Sequence, residues 1–226
     1  MKNFSNYNDI EAVMNKANNL LSHIEQQYQK CLREEKVPED LLVEIKDYLA
    51  NLRTALDYLW HKIPEVSTSH FPVANSKADF SVKTKNIEAK HVMVLEKFQN
   101  YDPNSWIRCF NLFRNKNIHL TLIPQKRKET REFSIKKGGG DITARGCSFK
   151  GNINFNVGGV SVPIDERTQF PASVPGVDIK RVIWVDFLFD GSSISSEFPR
   201  GISALAFLKE SLKKVRKIIL DLEQEI

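Results

Sequence analysis

The chain has 226 residues, enough to bury a sizeable core as one domain with an insertion or as two small domains. A hydrophobic fraction of 41% and a charged fraction of 27% are those of a globular protein and exclude a disordered or fibrous class. The net charge of +5 is concentrated: residues 108–150 hold 11 Lys and Arg against 3 Asp and Glu, and the flanking stretches are nearly neutral. Such a cluster points to a polyanionic partner, nucleic acid before anionic lipid, or to a solvated basic loop.

In chain order, Ile10, Val13, Ala17, Leu20, Ile24, Tyr28 and Cys31 recur every three or four positions. They predict a long helix opened by an Asn8–Glu11 capping box. Leu42, Ile45, Leu49, Leu52, Leu56, Leu59 and Ile63 predict a second helix, begun at Pro38, Glu39 and Asp40 and stopped by Pro64. Two shorter helices follow. One covers Ile87 to Phe98, and one is capped by Ser105 and runs through Trp106, Ile107, Phe110, Leu112 and Phe113. From about Leu120 the pattern changes. Glu132–Lys136, Asp141–Lys150, Asn152–Val162 and Lys180–Phe189 alternate or run apolar, with turns such as Gly138–Asp141 and Asp190–Ser192 between short antiparallel strands. After Pro199-Arg200-Gly201 a last helix carries Leu205, Leu208, Leu212, Val215, Ile219, Leu222 and Ile226 on one stripe. Helices with a single apolar stripe need partners. The expected fold is therefore mainly α with a β insertion (α+β). Residues 1–125 and 200–226 form an antiparallel helical bundle, and residues 126–199 form a small antiparallel β-rich insertion before the C-terminal helix.

Residues Met1–Asp9 hold no apolar run of signal-peptide length, and no stretch approaches a membrane span. Cys31, Cys109 and Cys147 are odd in number and far apart, which argues for a reducing compartment. A cytoplasmic location without a membrane partner is expected. His23, His70 and His91 lack metal-site spacing, so no metal is expected, and no cofactor. Gly138-Gly139-Gly140 lacks the Gly-Lys-Ser/Thr ending of a phosphate-binding loop and predicts a turn.

The basic segment contains Arg114-Asn115-Lys116-Asn117-Ile118-His119. An arginine offers a permanent planar charge for a phosphate and its developing negative charge, and an imidazole titrates near neutrality and moves protons. Asn115 adds a hydrogen-bond donor for a phosphate oxygen, or one that orients the imidazole. The chemistry these residue types suit is metal-independent phosphodiester cleavage through the ribose 2′-hydroxyl. Five residues of regular helix turn Arg114 and His119 roughly 140° apart. Convergence on one phosphate thus predicts a helix that frays or bends inside the motif, which Asn115, Asn117 and Pro124 favour.

The segment Phe113–Leu120 resembles the Arg-x(4–6)-His signature of the HEPN superfamily, in the variant where a polar residue follows the arginine. The resemblance covers about half the chain and leaves out the β-rich stretch from 130 to 200. It implies an all-helical, commonly homodimeric scaffold and a metal-independent endoribonuclease of toxin–antitoxin, CRISPR or phage-defence type. RNA is then the substrate and an antitoxin or activator protein a further partner. Arg53–Leu59 followed by His70-Phe71-Pro72-Val73 also looks like bacterial and phage proteins of this general type. Arg114, Asn115 and His119 are the expected catalytic residues, and Lys116, Lys126, Arg127, Lys128 and Arg131 the expected nucleic-acid contacts. Asp57 either orients His119 or Arg114 or stands as a solvent-exposed carboxylate. Trp106, Phe110 and Phe113 serve the core or stack on bases. A non-catalytic nucleic-acid-binding or regulatory module that uses the basic segment 108–150 is the alternative function.

Overall fold

The computed structural model describes residues 7–34, 36–64, 66, 70–119, 121–145, 153–164, 176–190 and 201–225. Cys147, Asn152, the 191–192 turn, Pro199, Arg200 and Ile226 lie outside them. The chain divides into two compact units, one of Met1–Lys126 with Phe187–Ile226 and one of Arg127–Asp186. The fold is mainly helical with a β insertion before the last helix. No helix among the described residues is long and apolar enough to cross a membrane.

The first unit is the helical bundle. Helix α1 (Tyr7–Glu34) packs along α2 (Glu39–Trp60), and α2 in turn packs on α5 (Trp106–His119) and on α6 (Ala204–Glu223). The stripes that predict these helices are the faces they bury, shifted in places by one residue. Met14, Leu21 and Leu41 are buried, while Val13, Leu20 and Leu42 are only half-buried. Helix α1 begins at Tyr7, which puts Asn8 inside the first turn and removes it as a capping residue. Pro38 precedes α2, where its fixed φ suits a helix start. Two short helices, α3 (Lys77–Lys83) and α4 (Ala89–Glu96), close one side. Helix α3 was not anticipated. It opens on a reciprocal box in which Ser76 Oγ accepts from the Asp79 amide (3.1 Å) and Asp79 accepts from the Asn75 amide (2.9 Å).

The bundle core is aromatic at its α5–α6 end. Phe113 packs 4.3 Å from Phe189 and 4.9 Å from Phe207, measured between ring centroids. Tyr48, in the middle of α2, is fully buried and donates its hydroxyl to the Leu208 carbonyl (2.7 Å), which pins α2 to α6. Ser105 does not cap α5: its Oγ is buried without a partner among the described residues. Phe187 and Phe189 belong to this core, so the unit boundary falls before Phe187 and not at residue 199.

In the second unit, β1 (Gln125–Lys137) is flanked by β2 (Gly140–Arg145) and β5 (Asp178–Phe189) in the order β2-β1-β5. β1 and β2 pair antiparallel from Glu132↔Arg145 to Lys137↔Gly140. A separate hairpin joins β3 (Ile153–Val157) to β4 (Val160–Ile164). The alternating run from Asn152 to Val162 is therefore two strands. They part at Gly158, whose φ of +53 admits few other residues and where a Cβ would meet the Lys137 carbonyl oxygen at 2.9 Å.

Candidate functional site

Helix α5 extends to His119, so Arg114 to His119 are helical and the expected fraying inside the motif is not seen. Asn117, a weak helix former in isolation, explains the difference. Its buried Oδ1 accepts from the Ile123 amide (2.9 Å), and the Thr121 amide donates to the Lys116 carbonyl (3.2 Å). These two bonds cap the helix end before Pro124 can disturb it. At about 100° per residue, Arg108, Asn111, Arg114, Asn115 and His119 occupy positions within an arc of roughly 140°. The opposite side carries the buried Phe110, Phe113 and Asn117. Arg108, Asn111, Arg114 and Asn115 are half-buried, and Arg114 Nη1 donates to Asn115 Oδ1 (3.0 Å). Arg114 Nε is buried with no hydrogen-bond partner among the described residues. The side chain of His119 lies outside them.

Facing α5, α2 carries an arginine where a soluble helix normally buries an aliphatic residue. Arg53 is 5% exposed, and every nitrogen of its guanidinium has an acceptor. Nε meets Asp57 Oδ1 at 3.0 Å, Nη2 donates to the Phe71 carbonyl at 2.8 Å, and Nη1 donates to Asn111 Oδ1 at 3.3 Å. Burial pulls the Arg53 pKa down, Asp57 pulls it back up, and the positive charge of Arg114 adds to the lowering. Arg114 is thus an electrostatic neighbour of the α2 cluster.

Asp57 is mostly buried but is not the partner of Arg114. Its carboxylate accepts from Arg53 and from the Phe71 amide (2.8 Å), and its Oδ2 lies 3.4 Å from His70 Nδ1, within ion-pair reach. The chain after His70 has no regular structure, so its backbone groups need side-chain partners. Gln99 supplies two of them, donating to the Pro72 carbonyl (2.9 Å) and accepting from the Ala74 amide (3.0 Å). Lys83 donates to the Val73 carbonyl (2.8 Å). The segment so fixed walls a cleft of about 300 Å³ that Arg53, His70, Lys83 and Asn111 also line. Asn111, one helical turn before Arg114 and Asn115, is the residue that α5 contributes to the lining of this cleft.

The expected nucleic-acid contacts fall in both units. Lys116 is half-buried on α5, and Lys128 is exposed on β1. Lys126 pairs with Asp190 (2.7 Å) and Arg127 with Glu129 (2.6 Å), and the side chain of Arg131 lies outside the described residues. Among the described residues no group of three or more His, Cys, Asp or Glu is placed to hold a metal ion. Arg53, His70 and Asn111 escaped assignment from sequence. Beside the resemblance carried by Arg53–Leu59 and His70–Val73, the signal is a charged residue next to Leu49, Leu52 and Leu56, with a carboxylate one turn on, in an otherwise apolar stripe. No family model matches the chain, and neither a curated protein nor a solved structure matches it.

Proposed function

We propose that the chain is a metal-independent endoribonuclease with an HEPN-like bundle, cleaving RNA by attack of the 2′-hydroxyl on the adjacent phosphate. Arg114 binds the phosphate, Asn115 holds the Arg114 guanidinium in place, and His119 moves a proton. The observation that carries this reading is the polar face of α5. Arg108, Asn111, Arg114 and Asn115 lie on one side of a helix whose opposite side is core, Asn111 lines a cleft, and Arg114 Nε has no hydrogen-bond partner among the described residues. An arginine with an unpartnered donor on a half-buried polar face can take a phosphate oxygen as its acceptor. The same reading carries a homodimer with the two 114–119 segments close together, a protein antitoxin or activator, and a cytoplasmic toxin or phage-defence setting.

The test is cleavage of a single-stranded RNA beside a DNA strand of the same sequence. The RNA is cut to a 2′,3′-cyclic phosphate and a 5′-hydroxyl, the DNA is spared, and EDTA leaves the rate unchanged, because charge and proton transfer come from side chains. Arg114→Ala and His119→Ala each lower the rate by at least about 10²-fold, and together they lose little more than either alone. A His119→Ala protein that cuts as fast as wild type, or activity lost on chelation and restored by a divalent ion, would falsify the mechanism. The binding-module reading then replaces it.

A further inference from the structure

Cleavage through the 2′-hydroxyl moves two protons, one off the attacking oxygen and one onto the leaving oxygen, and the 114–119 motif contains one imidazole. A second stands at the cleft. His70 Nδ1 lies 3.4 Å from Asp57 Oδ2, and the side chain is 67% exposed at the rim that Asn111 and Arg53 share. The carboxylate that holds it is itself fixed. Arg53 Nε and the Phe71 amide both bond Asp57 Oδ1, and Phe71 is the residue next to His70. Asp57 therefore grips the imidazole and the backbone that bears it. A carboxylate oxygen accepts, so the tautomer that Asp57 favours carries its proton on Nδ1 and has its lone pair on Nε2, the ring nitrogen turned away from Asp57. Among the described residues Nε2 has no hydrogen-bond partner. The charged groups around the ring are Asp57 and Arg53 from α2 and Lys83 from α3, whose amine is committed to the Val73 carbonyl and Asp79.

We propose that His70, oriented by Asp57, is the general base of this site, an inference that rests on the ribonuclease reading. His70 Nε2 takes the 2′-hydroxyl proton as O2′ bonds to phosphorus. The P–O5′ bond breaks with its electron pair left on O5′, which takes a proton from the His119 imidazolium. Arg114 carries the charge on the non-bridging oxygens, and the products are a 2′,3′-cyclic phosphate and a 5′-hydroxyl. Asp57 and Arg53 are positioning residues: both are largely buried, and their contacts are to each other, His70, Phe71 and Asn111.

The experiment compares wild type, His70→Ala, His70→Gln, Asp57→Asn and His119→Ala. It measures kcat/KM for RNA across pH, affinity for an oligonucleotide with a 2′-deoxy sugar at the scissile position, and melting. The expected result is a fall of about 10²–10⁴-fold in kcat/KM for both His70 variants, with the limb of the pH profile contributed by a base abolished. Binding and melting stay as in wild type. Asp57→Asn loses less rate than His70→Ala and displaces the same limb. A His70→Ala protein within about twofold of wild type, with both limbs present, overturns this inference and leaves the ribonuclease reading standing. So does a loss of rate matched by a loss of binding or melting. A wild-type chain that cleaves no RNA removes the ribonuclease reading, and the role of His70 falls with it.

Discussion

Arg53 is the residue on which the site's geometry depends. Its fork meets three different acceptors on α2, on α5 and on the segment after His70, so one side chain sets the spacing of all three. Arg53→Met, which keeps the volume, should destabilise the protein by about 3 kcal/mol, because it leaves the Asp57 carboxylate without its charge partner. Arg53→Lys should recover little of that, since an ammonium lacks the planar fork. Arg114→Ala should change stability by less than about 1 kcal/mol, since its side-chain hydrogen bond among the described residues is to the neighbouring Asn115. Urea unfolding of the three variants decides it, and equal midpoints for wild type and Arg53→Met would remove the hub role. At this scale the sequence was partly legible. Arg114 stands out through its motif, whereas Arg53 and His70 depend on a contact across 18 residues of chain that no local spacing reveals.

At the scale of elements, α3 shows what local chemistry does when periodicity has too few turns to speak. Seven residues bury one large side chain, Phe80, and the helix rests on the Ser76–Asp79 box. The Asn75 amide, and then Lys83, hold the Asp79 carboxyl below the usual carboxylate range. A depressed folded-state pKa means that the contribution is fully present above the unfolded value and is lost as pH falls through the folded one. Melting curves of wild type and Asp79→Asn should therefore differ at neutral pH and converge in acid, while Ser76→Ala costs about 1 kcal/mol at either. A constant gap across the range would show that the carboxylate is not the stabilising form. The long helices were legible because three or more turns repeat one stripe. The end of α5 was not, because Asn117 bonds the returning chain at Ile123 and overrides its own low propensity. The β3–β4 hairpin is legible in the change of phase at Gly158-Gly159, where the apolar positions pass from Ile153, Phe155 and Val157 to Val160 and Val162, and reading Asn152–Val162 as one run overlooks it.

Across the whole molecule, charge and core divide the chain differently. The basic segment spans the end of the bundle and the start of the insertion, and the core takes back Phe187 and Phe189 from the far end of that insertion. An alternating strand cannot announce from sequence which unit will claim its aromatic residues. Replacing Lys126, Arg127 and Lys128 with Gln should weaken RNA binding and flatten its dependence on salt, with cleavage of saturating RNA little changed. Exposed ion pairs such as Lys126–Asp190 contribute about 0–1 kcal/mol, so the triple variant should melt near wild type. Filter binding over a salt series checks this, and an unchanged slope would dissociate the segment from the polyanion.

The bundle is completed by a helix that is translated only after the entire insertion. The chain leaves the bundle beyond Pro124 and rejoins it where the Asp190 amide donates to the Pro124 carbonyl (2.9 Å). At about 5–20 residues per second, residues 127–186 keep the first five helices waiting for several seconds. During that interval Tyr48 lacks the Leu208 carbonyl that receives its hydroxyl, and Phe113 lacks both aromatic neighbours. The nascent chain consequently displays the apolar stripe of α2 on the ribosome until α6 arrives, and its newborn form presents a surface that chaperones recognise and the finished fold conceals.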